Sequence, residues 1–202
     1  MNRIIRPSKE EPFYAYPNDM GFWADKKRDF AKPFADATGR CFLDARIHKK
    51  ITRLKRDNPA LVIGETHCHS IFSDGTHSVE DILRRASRLR LDYVVITDHL
   101  LPRKYLIESI FKSWEKQAQY IDEWDQLNDP VKIYPALEMS ALEGHLILIF
   151  DPEYLSPKNF SDISLQFSEF DDQFFSMLEI IPRIGSFGGI SIVPHPNKKR
   201  AY

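Results

Sequence analysis

The sequence predicts an α/β fold, and three features of the chain after about residue 60 support this class. Short β-rich runs alternate with helical stretches, most runs end in a polar cluster, and four of the seven histidines lie at or just beyond the carboxyl end of a run. The alternation predicts a parallel sheet, either open or closed into a barrel. Ligands bind at the carboxyl edge of such sheets, because the loops that follow the strands converge there.

Composition and charge argue against several classes of protein. The chain has 202 residues and a formal net charge of -1, which argues against a globally basic binder of nucleic acid. Its two cysteines, Cys41 and Cys68, form no C-x-x-C pair, so neither a disulfide scaffold nor a thiolate zinc site is expected. The sequence shows neither a secretory signal nor an apolar run that could cross a bilayer, and we therefore expect a cytoplasmic protein without a membrane partner.

The chain is expected to divide into two parts. Residues 1–59 form an N-terminal extension that is rich in aromatic, proline and charged residues, with one helix near residues 44–56. Residues 1–60 hold 14 Lys and Arg against 8 Asp and Glu, and we interpret the basic helix as a solvated face rather than a nucleic-acid surface. Residues 60–202 hold the predicted domain.

Five strands and three helices are predicted in this domain. The strands are Leu61–His69, Asp92–Asp98, Lys132–Met139, His145–Phe150 and Gly189–Val193. A capping box over Ser78–Asp81 begins a helix that runs to about Arg90. Apolar periodicity predicts a second helix over Arg103–Leu127 and a third from about Phe170 to Ile184.

His67 and His69 are the first candidate metal ligands. They lie two positions apart on a predicted strand, so both imidazoles face one side of it while Cys68 faces the other. Imidazole nitrogens bind Zn, Mn or Fe near neutral pH. Taken alone, such a pair is more typical of an ordinary edge strand than of a metal site.

Further polar residues follow along the chain. A tight turn at Ser73-Asp74-Gly75 can return the Asp74 carboxylate to the face of the two imidazoles. His145 begins its strand, and it reaches the same edge only if that strand is short or antiparallel to its neighbours. The polar residues at the ends of later strands are Asp98, His99, Glu138 and His195. Leaving so many of these groups unpaired on one rim has no structural benefit, so together they predict a metal cluster.

In their order along the chain, these motifs resemble those of the PHP (polymerase and histidinol phosphatase) superfamily of metal-dependent phosphoesterases. The resemblance covers about residues 62–196. It rests on Glu65–Ser70 with Ser73–Gly75, Ile96–His99, Ala136–Glu138 with Gly144-His145, and Pro194–Pro196. It implies a distorted barrel of seven β/α units that holds up to three metal ions at the carboxyl ends of its strands.

The resemblance also implies roles for the candidate residues. It implies that His67 and His69 bind one metal and that Glu138 bridges this metal to a second. His145 and His195 are the other implied ligands of the second metal, and Asp74 with His99 those of a third. Asp98 is implied to support the ligands without binding a metal itself. The implied ions are Zn, Mn or Fe. The implied reaction is hydrolysis of a phosphate ester, from a small phosphomonoester or a nucleotide, by a metal-activated hydroxide.

The sequence departs from the family pattern in one respect. The family ends its motif set with an Asp-x-His near the last strand, and residues 197–202 contain none. The missing Asp would complete the first metal and the missing His the third. We therefore expect an incomplete distorted (β/α)7-type barrel without its C-terminal strands, and a phosphoesterase domain truncated at its C-terminus.

Two alternative functions use the same residues. A non-catalytic, metal-binding PHP-like domain would keep the ligands for stability, and a nucleic-acid phosphodiesterase would use the basic segment 1–59. The acidic body of the chain favours a small phosphorylated substrate over nucleic acid. The basic residues that could meet a substrate phosphate are Arg103, Lys104, Lys198, Lys199 and Arg200, although a solvated surface charge is the more common role for all five.

Overall fold

The computed structural model describes residues 33–124 and 131–194. The strands in this part are β1 (Gly64–Cys68), β2 (Tyr93–Ile96), β3 (His99–Leu100), β4 (Lys132–Ala141), β5 (Gly144–Ile149) and β6 (Ile190–Ile192). The helices are α1 (Pro33–Asp57), α2 (Val79–Arg88), α3 (Ile107–Trp124), α4 (Pro157–Phe167) and α5 (Met177–Ser186). Two short 3₁₀ turns, Pro152–Leu155 and Ser168–Asp171, flank α4.

The described strands form one curled, open sheet in the order β1-β2-β4-β5-β6, with β3 beside β4. β1 and β4 are parallel to β2, and β3 is parallel to β4, whereas β5 and β6 run antiparallel to their neighbours. This arrangement confirms the predicted α/β class and the incomplete distorted barrel. The expectation of a wholly parallel sheet is wrong for β5, because a hairpin rather than a helix joins β4 to β5.

The longest strand, β4, is where the sheet changes from parallel to antiparallel pairing. Lys132–Pro135 pair with β2, and Ala136–Ala141 pair with β5. Pro135 has no N–H to donate, and it lies at this change of partner. Glu138 then stands opposite His99 on one side and Ile147 on the other, so it is enclosed by strands of opposite direction.

The observed helices match the predicted ones more closely in the first half of the domain than in the second. α2 begins after Ser78, whose hydroxyl accepts a hydrogen bond from the Asp81 amide as predicted. α3 begins at Ile107 rather than Arg103, because residues 101–105 form a tight turn, and the predicted helical residues 125–127 lie outside the described part. In place of one helix over 170–184, α5 begins after the Ser176 capping box, and α4 has no predicted counterpart.

The core lies between the sheet and the helices that cover it. Trp114 of α3 is fully buried and donates its indole N–H to the Ala136 carbonyl of β4 at 3.0 Å. Phe150 and Phe167 extend this contact as edge-to-face aromatic pairs. Truncation of a buried aromatic of this kind costs about 3–5 kcal/mol. No helix in the described ranges is both long and apolar enough to span a membrane.

The loop after β1 is held by one buried carboxylate. Asp98 accepts hydrogen bonds from the Ser70 amide, the Ser70 hydroxyl and the Ser73 hydroxyl, and from the hydroxyl of Ser113 on α3, each at 2.7 Å. Four donors satisfy the charge of a group that is 1% exposed. Asp98 thereby ties the turn that carries Asp74 to α3.

The turn that carries Asp74 requires a glycine at position 75, because the backbone of His69 leaves no room for a side chain. Its amide donates to the Ser70 carbonyl at 3.0 Å, which brings its Cα against the backbone of His69. A Cβ at this position would lie 2.1 Å from the His69 carbonyl oxygen. Only glycine fits this close approach without moving the backbone.

Helix α1 contacts the domain through polar groups. Asp44 is buried against Arg85 of α2, and His48 Nδ1 lies 2.7 Å from the Arg88 carbonyl oxygen. Lys55 donates to the Asp92 carboxylate at 2.6 Å, and Asp92 also accepts from the Ile63 amide at 2.7 Å. The boundary between extension and domain at residue 59 stays a prediction.

We expect the Asp92 interactions to make stability depend on pH. Burial opposes ionisation of Asp92, but the hydrogen bonds from Lys55 and the Ile63 amide outweigh it and hold the pKa below its ordinary value. Such a group stabilises the fold above the ordinary carboxyl pKa of about 4, and the contribution is lost as pH falls through the lowered folded value. Asp92→Asn should lower the unfolding free energy by about 1 kcal/mol at neutral pH and by less in acid.

Urea unfolding of the wild type and of Asp92→Asn at pH 7 and pH 3 measures this difference. Asp57→Asn is the control. Asp57 is exposed at the end of α1, the helix that carries Lys55, and among the described contacts it pairs only with arginines of that helix. A stability difference for Asp92→Asn that stays constant between the two pH values would contradict the assignment.

Gly75→Ala should destabilise the protein by roughly 1–3 kcal/mol, because the added methyl group meets a backbone carbonyl that no change of rotamer can move. Gly185→Ala is the matched control, since a Cβ on Gly185 of α5 meets nothing within 4 Å. The control should be neutral or slightly stabilising, because alanine is the better helix former. Equal urea midpoints for the two variants would refute the steric account of Gly75.

Candidate metal centre

Six of the seven predicted ligands come together at one edge of the sheet. His67 lies in β1 and His69 directly after it, His99 opens β3, and Glu138 lies within β4. Asp74 stands in the turn fixed by Asp98, and His145 is near the start of β5. The seventh candidate, His195, lies outside the described residues.

His145 reaches the cluster because its strand is antiparallel. A hairpin joins the two longest strands, and in its register His145 pairs with Ser140, two residues beyond Glu138. The start of an antiparallel strand lies beside the end of its neighbour, so β5 presents His145 at the edge where β4 presents Glu138. The condition that the sequence set for His145 is therefore met.

Glu138 lies at the centre of the cluster and is fully buried. Its Oε1 is 2.6 Å from His145 Nδ1, and its Oε2 is 2.9 Å from His67 Nε2 and 3.2 Å from His69 Nε2. His99 Nδ1 lies 3.6 Å from the same Oε2. One carboxylate thus faces four imidazoles, with its two oxygens directed at different ones.

Three groups of ligand atoms can be drawn from these residues. In each group the atoms lie within 4.8 Å of one another, and the groups are His67, His69 and Glu138; His69, Asp74 and His99; and His99, Glu138 and His145. The His69 and His99 rings stack with their centroids 4.5 Å apart, which links the groups. This grouping differs from the implied one in that His69 and His99 each belong to two groups.

The pKa values of two of these side chains are shifted in the direction that favours metal binding. Burial lowers the pKa of His99, and His69 and His145 add to this effect, so that together they outweigh the attraction of Glu138 and Asp74. Burial opposes ionisation of Glu138, but the surrounding histidines, His99 foremost, hold its pKa below the ordinary value. Both shifts favour the deprotonated forms of Glu138 and His99, which are the forms that bind a cation.

Two unpaired nitrogens test whether the residues fit a metal. The Nδ1 atoms of His69 and His99 are buried and have no hydrogen-bond partner among the described residues. A buried polar atom without a partner is costly, and a bound cation would remove the cost for the nitrogen that carries a lone pair. Imidazole nitrogens and carboxylate oxygens also match the donor preferences of Zn, Mn and Fe.

Cys68 is excluded as a ligand by its orientation and its chemistry. Its thiol points toward the Val95 carbonyl at 3.5 Å, on the opposite side of β1 from the imidazoles, as predicted. Burial raises the pKa of the Cys68 thiol, with Glu65 and Asp98 adding to the shift. The thiol therefore favours its protonated form, and it faces away from the imidazoles of the cluster.

Some residues that build the site were not among the sequence candidates. Ser113 supports Asp98 from α3, and a serine in a helix carries no signal for such a role. Tyr105 stacks beside His99 with ring centroids 6.0 Å apart, and only its place six residues after a ligand could have drawn attention to it. Asp98, which the resemblance implies to stand behind the ligands, accepts hydrogen bonds from Ser70 and Ser73 of the turn and from Ser113 of α3.

Comparison with known proteins adds a family. No curated protein matches the chain. A crystal structure of a proposed metal-dependent phosphoesterase from Bifidobacterium adolescentis shares 15% sequence identity with it and a TM-score of 0.43, over 64% of this chain and 65% of that one. The chain thus spans about two thirds of that structure's length. The sequence model of the PHP domain matches residues 65–177, which is more than half of the chain and includes all six clustered ligands. The chain belongs to the PHP domain family.

Proposed function

We propose that this chain hydrolyses phosphate esters, with a small phosphomonoester or a nucleotide as substrate and divalent ions bound at the clustered ligands. The observation that carries the proposal is the set of ligand groups around the buried Glu138. Membership of the PHP domain family supports a metal-dependent phosphoesterase in general. The proposal goes beyond family membership by naming a substrate class and the roles of the ligands.

Glu138 is assigned as the ligand shared by two ions. Its Oε2 faces His67 and His69, and its Oε1 faces His145, so each oxygen serves a different set. His99 completes the second set. Bound divalent ions would lower the pKa of a water molecule and neutralise charge on the phosphoryl oxygens. The protein's share is to hold the ligands in place, and the lowered pKa values of Glu138 and His99 favour the deprotonated forms that bind an ion.

Zn, Mn or Fe are assigned as the ions, because each accepts this mixture of nitrogen and oxygen donors. His195 is assigned to the same cluster on the strength of its Pro-His-Pro motif alone, and this assignment stays a prediction. Asp74 is the most exposed of the six candidates that the structure describes, and it faces His69 at 3.9 Å and His99 at 3.6 Å. Its position on a turn lets it meet the substrate side of the cluster.

Metal addition should stabilise the protein, because an ion that binds only the folded state raises the unfolding free energy by about 2.7 kcal/mol at a hundred times its dissociation constant. We expect chelator-treated protein to gain several degrees in melting temperature on addition of Mn or Zn. His67→Ala should lose most of this gain, since it removes a ligand. If no ion among Zn, Mn and Fe shifts the melting temperature of the wild type, the assigned metal centre is wrong.

Glu138→Gln should lower kcat/KM toward p-nitrophenyl phosphate roughly a hundredfold or more in the metal-supplemented protein, because it removes the shared anionic ligand. Glu115→Gln makes the same chemical change at an exposed position on α3 and should leave the rate unchanged.

The same pair of variants separates catalysis from the non-catalytic alternative. A wild type without metal-dependent turnover, combined with a lower melting temperature in Glu138→Gln, would favour a cluster kept for stability. Full turnover in Glu138→Gln would refute the proposed chemistry directly.

A further inference from the structure

The turn that follows His99 is held by several backbone hydrogen bonds within it. The amides of Tyr105 and Lys104 donate to the Leu101 carbonyl, and the Leu101 amide donates to the Tyr105 carbonyl, at 2.9–3.0 Å. The turn closes over Leu101–Tyr105, immediately beyond the two residues of β3. These hydrogen bonds hold the turn together directly after the metal ligand His99.

A second set of contacts ties this turn to the 3₁₀ turn Ser168–Asp171. The Arg103 amide donates to the Asp171 carbonyl at 2.8 Å, and the Ile107 amide donates to the Asp171 carboxylate at 2.8 Å. Arg103 itself has a φ of 64°, a left-handed conformation that is costly for a residue with a long side chain. Strain of this kind persists only where surrounding contacts enforce it, and it concentrates at functional sites.

The conformation of this turn brings the Lys104 side chain to the ring of Tyr105, which itself stacks beside the metal ligand His99. The Tyr105 ring stacks beside the His99 ring at 6.0 Å between centroids and 16° between planes. The Lys104 ammonium lies 4.8 Å from the centroid of the Tyr105 ring. The aromatic ring holds the ammonium in place through a cation-π interaction. No carboxylate in the described part of the chain forms an ion pair with Lys104, so its charge is available to an anion.

We propose that Lys104 is a substrate-binding residue that contacts the non-bridging oxygens of a phosphate held at the metal centre, with Tyr105 as the residue that positions it. The inference rests on the proposed function for its substrate, and it adds the cation that recognises the anionic group. A lysine acts in such sites as a compact point charge, which suits the tetrahedral phosphate. Arg103 contributes its strained backbone to the turn, and Lys104 contributes the charge.

Binding of inorganic phosphate to the Mn-loaded protein, measured by isothermal titration calorimetry, tests the inference without any turnover. Lys104→Gln should weaken phosphate binding roughly tenfold or more, because it removes one charge-assisted contact. Lys104→Arg should recover most of the affinity. Lys112→Gln is the matched control, since Lys112 pairs with Glu108 on the exposed side of α3, and it should bind phosphate as the wild type does.

A Mn titration of each variant serves as the second measurement. Lys104→Gln should bind Mn as the wild type does, which separates substrate binding from damage to the metal site. With p-nitrophenyl phosphate, the loss should fall mainly on KM rather than kcat.

Equal phosphate affinity in Lys104→Gln and Lys112→Gln would overturn the inference, as would a wild type that binds Mn but no phosphate. Phosphate binding that depends on Lys104 in a protein without turnover would support the inference while the proposed hydrolysis fails.

Discussion

The fold around the site depends on the burial of one ionised carboxylate. Glu138 is fully buried in β4, and an isolated charge there would cost several kcal/mol or more. The cost is offset by four imidazoles that reach it from three other strands or their ends. β3 and β5 must therefore keep their register with β4, and β1 must keep its register with β2, which itself pairs with β4. A slip of one residue in any of these pairings would turn the imidazoles of that strand away from the carboxylate.

A second buried carboxylate supports the first from behind. Asp98 directly precedes His99, and its backbone carbonyl accepts a hydrogen bond from the Glu138 amide at 3.0 Å. Its side chain meanwhile holds the Ser70–Ser73 turn and α3. The same residue thus fixes β3 against β4 and fixes the turn that carries Asp74. Serine hydroxyls suit this task because they donate to the carboxylate without adding a charge of their own.

The sequence could predict those parts of the site that depend on local periodicity. The two-residue spacing of His67 and His69 is sufficient to place both imidazoles on one face, and the Ser73-Asp74-Gly75 turn is readable from its residue types. The direction of β5 depends on whether a helix or a hairpin follows β4, and the short Leu142-Glu143 connection is a weak local signal. The turn that carries Tyr105 is held by hydrogen bonds from the Arg103 and Ile107 amides to Asp171, more than 60 positions along the chain, and no local pattern encodes those contacts.

The same logic applies to the helices. α2 is predictable because its Ser78 cap and apolar face are local, whereas α4 begins at Pro157 without a side-chain hydrogen bond to its cap. α4 is held by packing, with Ile163 and Phe167 fully buried in the main core. Helical propensity in such a segment is weak, and tertiary burial decides its conformation. Sequence periodicity therefore identifies amphipathic helices with caps more readily than a helix of this kind.

The sharing of ligands limits how many ions the described residues can hold at once. A neutral imidazole has one nitrogen with a free lone pair, so His69 can serve either Glu138 and His67 or Asp74, but not both. His99 faces the same choice, because its Nδ1 points toward Glu138 and its Nε2 toward Asp74. A carboxylate has two oxygens and bridges without such a conflict. The combination of His67, His69 and Glu138 with His99, Glu138 and His145 uses every imidazole once and shares only Glu138. In the proposed metal centre, the described side chains would therefore supply two ligand sets that share Glu138, and a third ion would compete for His69 and His99 unless other residues supply its ligands.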